Sequence, residues 1–129
     1  MSKQHAIHNE AACDFLLSSK KFNDWVVTTA FYAALHFVQN ELFPIKENGK
    51  TYKELNLYFA KVMKRKNKRL SKHIATIQLI KTHLPACSPY YRWLYDACMN
   101  ARYSNYKVSF AKANKAREFL SEIKNNLKK

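Results

Sequence analysis

The stretch Asp24-Trp25-Val26-Val27-Thr28-Thr29-Ala30-Phe31-Tyr32-Ala33-Ala34-Leu35-His36, continued to Phe43, decides the fold. It contains no glycine or proline, and its apolar side chains fall on nearly every side of a helical repeat. That is the pattern of a central, buried helix. Asn23 is placed to cap it, and Asp24 puts a negative charge in the first turn, where the backbone dipole favours one. Pro44 ends it.

The flanking segments carry narrower apolar stripes. A first helix is expected from about Ser2 to Ser19, with Ile7, Ala11, Ala12, Phe15 and Leu16 on its inner face. After Pro44 a loop runs through Gly49. Thr51-Tyr52-Lys53-Glu54 then reads as a capping box opening a third helix, whose apolar positions are Leu55, Tyr58, Phe59, Val62 and Met63. Ser71 is a cap for a fourth helix, with Ile74, Ile77, Leu79, Ile80 and Leu84 inward and Lys81 outward. Pro85 and Pro89 bracket a turn, and a fifth helix runs from near Tyr90 to at least Tyr103. The last helix, about Ser109 to Leu127, repeats Phe110, Ala113, Ala116, Phe119, Leu120, Ile123 and Leu127. These segments predict one all-α domain over residues 1–129, an up-and-down bundle of five or six helices.

Composition supports this class. The chain has 129 residues, 47% of them apolar, enough for a real core. Gly49 is the sole glycine, which excludes glycine-rich phosphate loops and argues against a hairpin-rich architecture. Cys13, Cys87 and Cys98 are odd in number and without paired spacing, as expected of reduced thiols in a cytoplasmic protein. The N-terminus has no apolar signal core. The richest apolar run, Trp25–Val38, is shorter than the ~18 residues of a membrane span, so no membrane partner is expected.

The net charge of +14 is unevenly placed. Of the 23 Lys and Arg, six lie in residues 1–54, where six acidic groups balance them, and the remaining seventeen follow with only Asp96, Glu118 and Glu122. Lys64-Arg65-Lys66-Asn67-Lys68-Arg69 is the densest run. Such a field suits a polyanion such as RNA, and equally describes a solvated basic face.

Three groups of residues bear on chemistry. Trp25, Thr29, Tyr32, His36 and Asn40 share one stripe of the central helix, either as an internal hydrogen-bonded network or as one wall of a pocket. On the fifth helix Tyr91, Tyr95, Cys98 and Arg102 share a stripe, which sets Arg102 beside the core. A guanidinium there needs a carboxylate, from Asp24 or Asp96, or else a phosphate ligand. His5, His8 and Cys13 lack a second cluster that would complete a tetrahedral set, so neither metal nor cofactor is expected.

The central stretch, followed by Tyr91-Arg92-Trp93-Leu94-Tyr95-Asp96 and by Ala101-Arg102-Tyr103, resembles the HEPN-domain family over roughly Ala6 to Ile123. His73, after Ser71-Lys72, also stands where this subgroup often has a histidine. The resemblance implies a helical bundle that forms homodimers. It implies RNA or nucleotide binding in toxin–antitoxin or phage-defence systems, with an antitoxin or a nucleotidyltransferase as protein partner. Active members cleave RNA without metal, using an Arg followed after four to six residues by a His. Arg102 matches the Arg, but Lys107, Val108 and Ser109 stand where the His belongs. The motif is incomplete, and the expectation moves from cutting toward binding.

The site so implied is Arg102 with Tyr103, Asn105, Lys107 and Tyr32. Lys64, Arg65, Lys66, Lys68 and Arg69 form the landing surface for RNA. A ribonuclease toxin using Arg102 with His36 or His73 is one alternative. A non-enzymatic module that binds an acidic protein is another.

Overall fold

The computed structural model describes Ser2–Lys129, and among these residues the fold is an all-α bundle with one small hairpin. Helix α1 spans Ser2–Ser19 and α2 spans Asn23–Leu42. Strands β1 (Ile45–Glu47) and β2 (Lys50–Tyr52) pair antiparallel. An interrupted helix follows: α3 (Leu55–Tyr58), a π-helical stretch (Phe59–Met63) and α4 (Lys64–Lys66). Then come α5 (Lys72–His83), a single 3₁₀ turn at Pro85–Cys87, α6 (Ser88–Tyr103) and α7 (Phe110–Asn125).

Helix α2 is the axis of the bundle, packed against α1, α6 and α7. Side-chain neighbours fix the directions. Cys13 meets Val26 while His5 meets His36, so α1 runs antiparallel to α2. Asn23 bonds to Val108 near the start of α7 and Glu41 receives Lys128 beyond its end, so α7 runs parallel to α2. Nine residues of α2 are buried, among them Val26, Val27, Ala30, Phe31, Ala33 and Ala34, as a helix apolar on most sides requires. A separate small core gathers Phe43, Leu55, Tyr58, Phe59, Leu70, Ala75 and Leu79 beneath the hairpin. No helix among the described residues is long and apolar enough to cross a membrane.

Several local expectations are corrected. On α1 the buried residues are Ala6 and Cys13, while Ile7 and Phe15 are 52% and 73% exposed. Small side chains let α1 approach α2 closely, and that turns the larger ones outward. Asn23 is not a cap. It is the first helical residue, Phe22 holds the cap position without a side-chain bond, and the Asn23 amide donates to the Val108 carbonyl at 3.0 Å.

The loop through Gly49 is a β-hairpin, with Asn48 and Gly49 both at positive φ (52° and 75°). Two left-handed residues in sequence make the tight turn whose twist suits antiparallel strands. The capping box does not form either. Thr51 is claimed by strand pairing with Lys46, and Glu54 precedes α3 without a side-chain bond. Ser71 does cap its helix, accepting from the Ile74 amide at 3.2 Å, and Ser109, expected only as the start of the last helix, caps that one by accepting from the Lys112 amide at 3.1 Å. Ile74 and Phe110, read as inward, are partly exposed.

A candidate anion site at the α2–α5–α6 junction

Arg102 lies in the last turn of α6, exposed, one residue after the buried Ala101. Neither expected carboxylate reaches it: Asp96 is engaged by Arg92 at 3.3 Å, and no ion pair joins Asp24 to Arg102. Its Nη1 instead donates to the Tyr32 hydroxyl at 2.6 Å, across 70 residues of sequence. The guanidinium also lies 5.2 Å from the Tyr103 ring centre and 5.9 Å from that of Tyr32. Both separations are within cation–π range. A neutral phenol positions the guanidinium without neutralising it. The planar guanidinium keeps its charge and its remaining N–H donors for an oxyanion such as a phosphate.

His73, in the first turn of α5, is half-buried beside the same group. Its ring centre is 5.5 Å from Tyr95 and 5.8 Å from Phe31, and Phe31 in turn packs on Tyr32 and Tyr91. Burial holds its pKa below the ordinary histidine value, and the charge of Arg102 adds to that shift. His73 is therefore neutral near pH 7 and able to accept a proton.

His36 belongs elsewhere. It packs edge-on against His5 at 4.9 Å, its Nδ1 is buried without a partner, and burial followed by the charge of His5 lowers its pKa. Of the two histidines expected near Arg102, His73 joins the aromatic cluster that includes Tyr32 and feels the charge of Arg102, and His36 packs on α1 instead. The α2 stripe is accordingly divided. Trp25 is 53% exposed, Thr29 bonds back to the Trp25 carbonyl, Tyr32 holds Arg102, and His36 faces α1.

Tyr103 is 71% exposed beside Arg102. The Asn105 side-chain oxygen accepts from the Lys107 amide at 2.9 Å and shapes the turn after α6. Lys107 lines a shallow depression with Lys21, Asp24 and Tyr106.

The basic run is also divided. The Lys64 ammonium sits 5.4 Å from the Phe59 ring centre. Arg65 and Lys66 line a groove against the hairpin. Lys68 and Arg69 are exposed in the link to α5, where the Arg69 amide bonds Asn67. Tyr95 packs on His73, and Lys50 and Lys61 line the groove beside the hairpin, three positions the sequence reading does not assign to a site. Tyr95 was visible on the Arg102 stripe, whereas the lysines required knowledge of the hairpin. Cys13 is fully buried while His5 and His8 are exposed, so these three do not share a face.

No family model matches the chain, and no curated protein or solved structure matches it either.

Proposed function

We propose that this chain is a HEPN-like RNA-binding protein that takes an RNA phosphate at Arg102, with Tyr32 and Tyr103 as its immediate supports. One observation carries the reading: an exposed guanidinium at the edge of the core, fixed by a phenol and not paired with any carboxylate among the described residues. The imbalance of seventeen basic to three acidic groups after Glu54 supplies the long-range attraction. Binding of a labelled single-stranded RNA should weaken steeply between 50 and 200 mM salt. Arg102→Ala should weaken it about tenfold or more, because a charge-assisted hydrogen bond contributes about 1.5–3 kcal/mol. Wild-type affinity in that variant overturns the proposal. The cellular setting we infer is a toxin–antitoxin or phage-defence system, with a homodimer as the working form.

The position of His73 favours a second reading, metal-independent cleavage. Neutral His73 takes the proton of a ribose 2′-hydroxyl, and the 2′ oxygen attacks phosphorus. The 5′ oxygen then leaves with a proton from water, giving a 2′,3′-cyclic phosphate and a free 5′-hydroxyl. Arg102 stabilises the charge that builds on the non-bridging oxygens. RNA incubated with the protein in chelator should be cut by wild type and by His36→Ala, and left whole by His73→Ala. Loss of cutting in His36→Ala but not in His73→Ala would remove His73 from this role.

A further inference from the structure

The hairpin and the interrupted helix enclose a surface groove that lies outside the Arg102 cluster. Two adjoining depressions of about 470 and 340 Å³ share Lys50, Tyr52, Lys61 and Arg65 as their common wall. Leu57 extends one of them and Lys66 the other. The four cations come from two elements far enough apart in sequence that only the fold collects them.

The Asn48–Gly49 turn sends Lys50 and Tyr52 back along β2, and the π-helical stretch carries Lys61 against that strand. A π-helical turn within a helix is uncommon and is frequent at functional sites. Arg65 follows one turn after Lys61. None of Lys50, Lys61, Arg65 and Lys66 forms an ion pair among the described residues. The one acid on the rim, Glu47, accepts from the Tyr58 hydroxyl at 2.6 Å and sets a single negative charge against the four cations. Tyr52 stands edge-on to Tyr58 at 5.3 Å and is half-buried, which fixes its ring, and Leu57 is partly exposed in the same wall.

We infer that this groove is a second nucleic-acid subsite, taking a single RNA strand. Lys50, Lys61, Arg65 and Lys66 track successive phosphates, and one base rests on Tyr52 and Leu57. The inference builds on the RNA reading above and adds a place and a register to it. An open groove with Lys50 from the hairpin and Lys61, Arg65 and Lys66 from the interrupted helix fits a passing strand, since a small anion would need closer enclosure. A fixed aromatic ring between phosphate contacts is the usual platform for an unpaired base. The landing surface therefore shifts from the whole Lys64–Arg69 run to Arg65 and Lys66 together with Lys50 and Lys61 from outside it.

The test is fluorescence anisotropy with a labelled oligouridylate of about 12 nucleotides, a length within the usual range of single-strand sites. The triple variant Lys50→Gln/Lys61→Gln/Arg65→Gln should lower the slope of log affinity against log salt by about 2, at ~0.7 for each lost phosphate contact on a single strand. The charge-matched control Lys3→Gln/Lys81→Gln/Lys128→Gln should leave that slope nearly unchanged. Should the triple variant unfold, Lys61→Gln and Arg65→Gln singly should each lower it by about 0.7. Photo-crosslinking of 4-thiouridine RNA should mark the peptide that contains Tyr52.

Equal slopes for the triple variant and its control overturn this subsite alone and leave the Arg102 site standing. No RNA binding by the wild-type chain overturns both. Binding of ATP at these residues, with the oligonucleotide failing to compete, overturns the strand in favour of a mononucleotide.

Discussion

The four-helix core and the hairpin–π-helix segment are packed with different materials. Around α2 half of the buried core is made of small residues, Ala6, Cys13, Ala30, Ala33, Ala34, Cys87, Ala97, Cys98, Ala113 and Ala116, interleaved with large ones such as Phe31, Phe37, Tyr91, Leu94, Leu120 and Ile123. The segment between Phe43 and Leu79 uses big side chains, Phe43, Leu55, Tyr58 and Phe59, to anchor short elements that bury little on their own. The outer surfaces differ as well. The bundle ties α1 to α7 with carboxylates: Glu10 takes Arg117 at 3.1 Å and Lys124 at 2.8 Å, and Asp14 takes the other edge of Arg117. Residues 43–71 hold nine Lys and Arg against Glu47 and Glu54. Long helices at close range supply stability, and a short appended segment is left to present charge.

Cavity substitutions give the largest separation between the two regions. Phe31→Ala removes a fully buried ring that touches Tyr32, Tyr91, Tyr95 and His73, and should cost about 3–5 kcal/mol of global stability in chemical denaturation. Leu55→Ala should cost about 2–3 kcal/mol at most, because the small core can collapse into the space. Hydrogen exchange should then show lost protection in residues 43–79 and near-wild-type protection in α2. If α2 loses protection equally, the two cores are one cooperative unit and the division drawn here is wrong.

An intermediate effect sharpens the electrostatic half of the contrast. Glu10→Gln leaves Arg117 with Asp14 alone and Lys124 without its carboxylate, and should cost roughly 1–2 kcal/mol, between the values for exposed and buried pairs. In the hairpin segment Lys61→Gln should leave the thermal midpoint unchanged or raise it, since it relieves repulsion among like charges.

The smallest effect is on pH. His36 and His73 both have folded pKa values below 6.5, so the unfolded chain binds more protons than the folded one as pH falls through 6.5. Their contribution is fully present above that value and is lost progressively toward the lower folded pKa values. Thermal midpoints should decline from pH 7 toward pH 5.5, and His36→Gln/His73→Gln should flatten the decline. An equally steep decline in the double variant would assign it to other groups.

The degree to which the fold was legible in the chain follows the same division. Helix α2 is legible because a helix apolar on most sides has few other places to go, and Ser71 stands where a cap belongs. The inner face of α1 does not follow side-chain bulk: close helix packing selects Ala6 and Cys13 and leaves Ile7 and Phe15 exposed. The hairpin carried a legible signal, Asn48-Gly49, that the scarcity of glycine obscured. Thr51 and Glu54 satisfied a local helix-start pattern that strand pairing overrode.

At the site, spacing along α6 placed Arg102 beside the core. Its partner Tyr32 lies 70 residues away, and no local pattern selects a phenol over Asp24 or Asp96. Lys50 and Lys61 carry no local signal of their own, since only the strand turn brings them together.

The three cysteines have a practical consequence. Each is buried, and burial raises each thiol pKa, that of Cys13 to about 11. Thiolate is the reactive form, so maleimide reagents near neutral pH should leave all three untouched in the folded chain. A cysteine introduced at an exposed position such as Lys128 can therefore carry a dye on the otherwise native protein. Conversely, the rate at which the native thiols become labelled is a direct clock for the opening of the bundle.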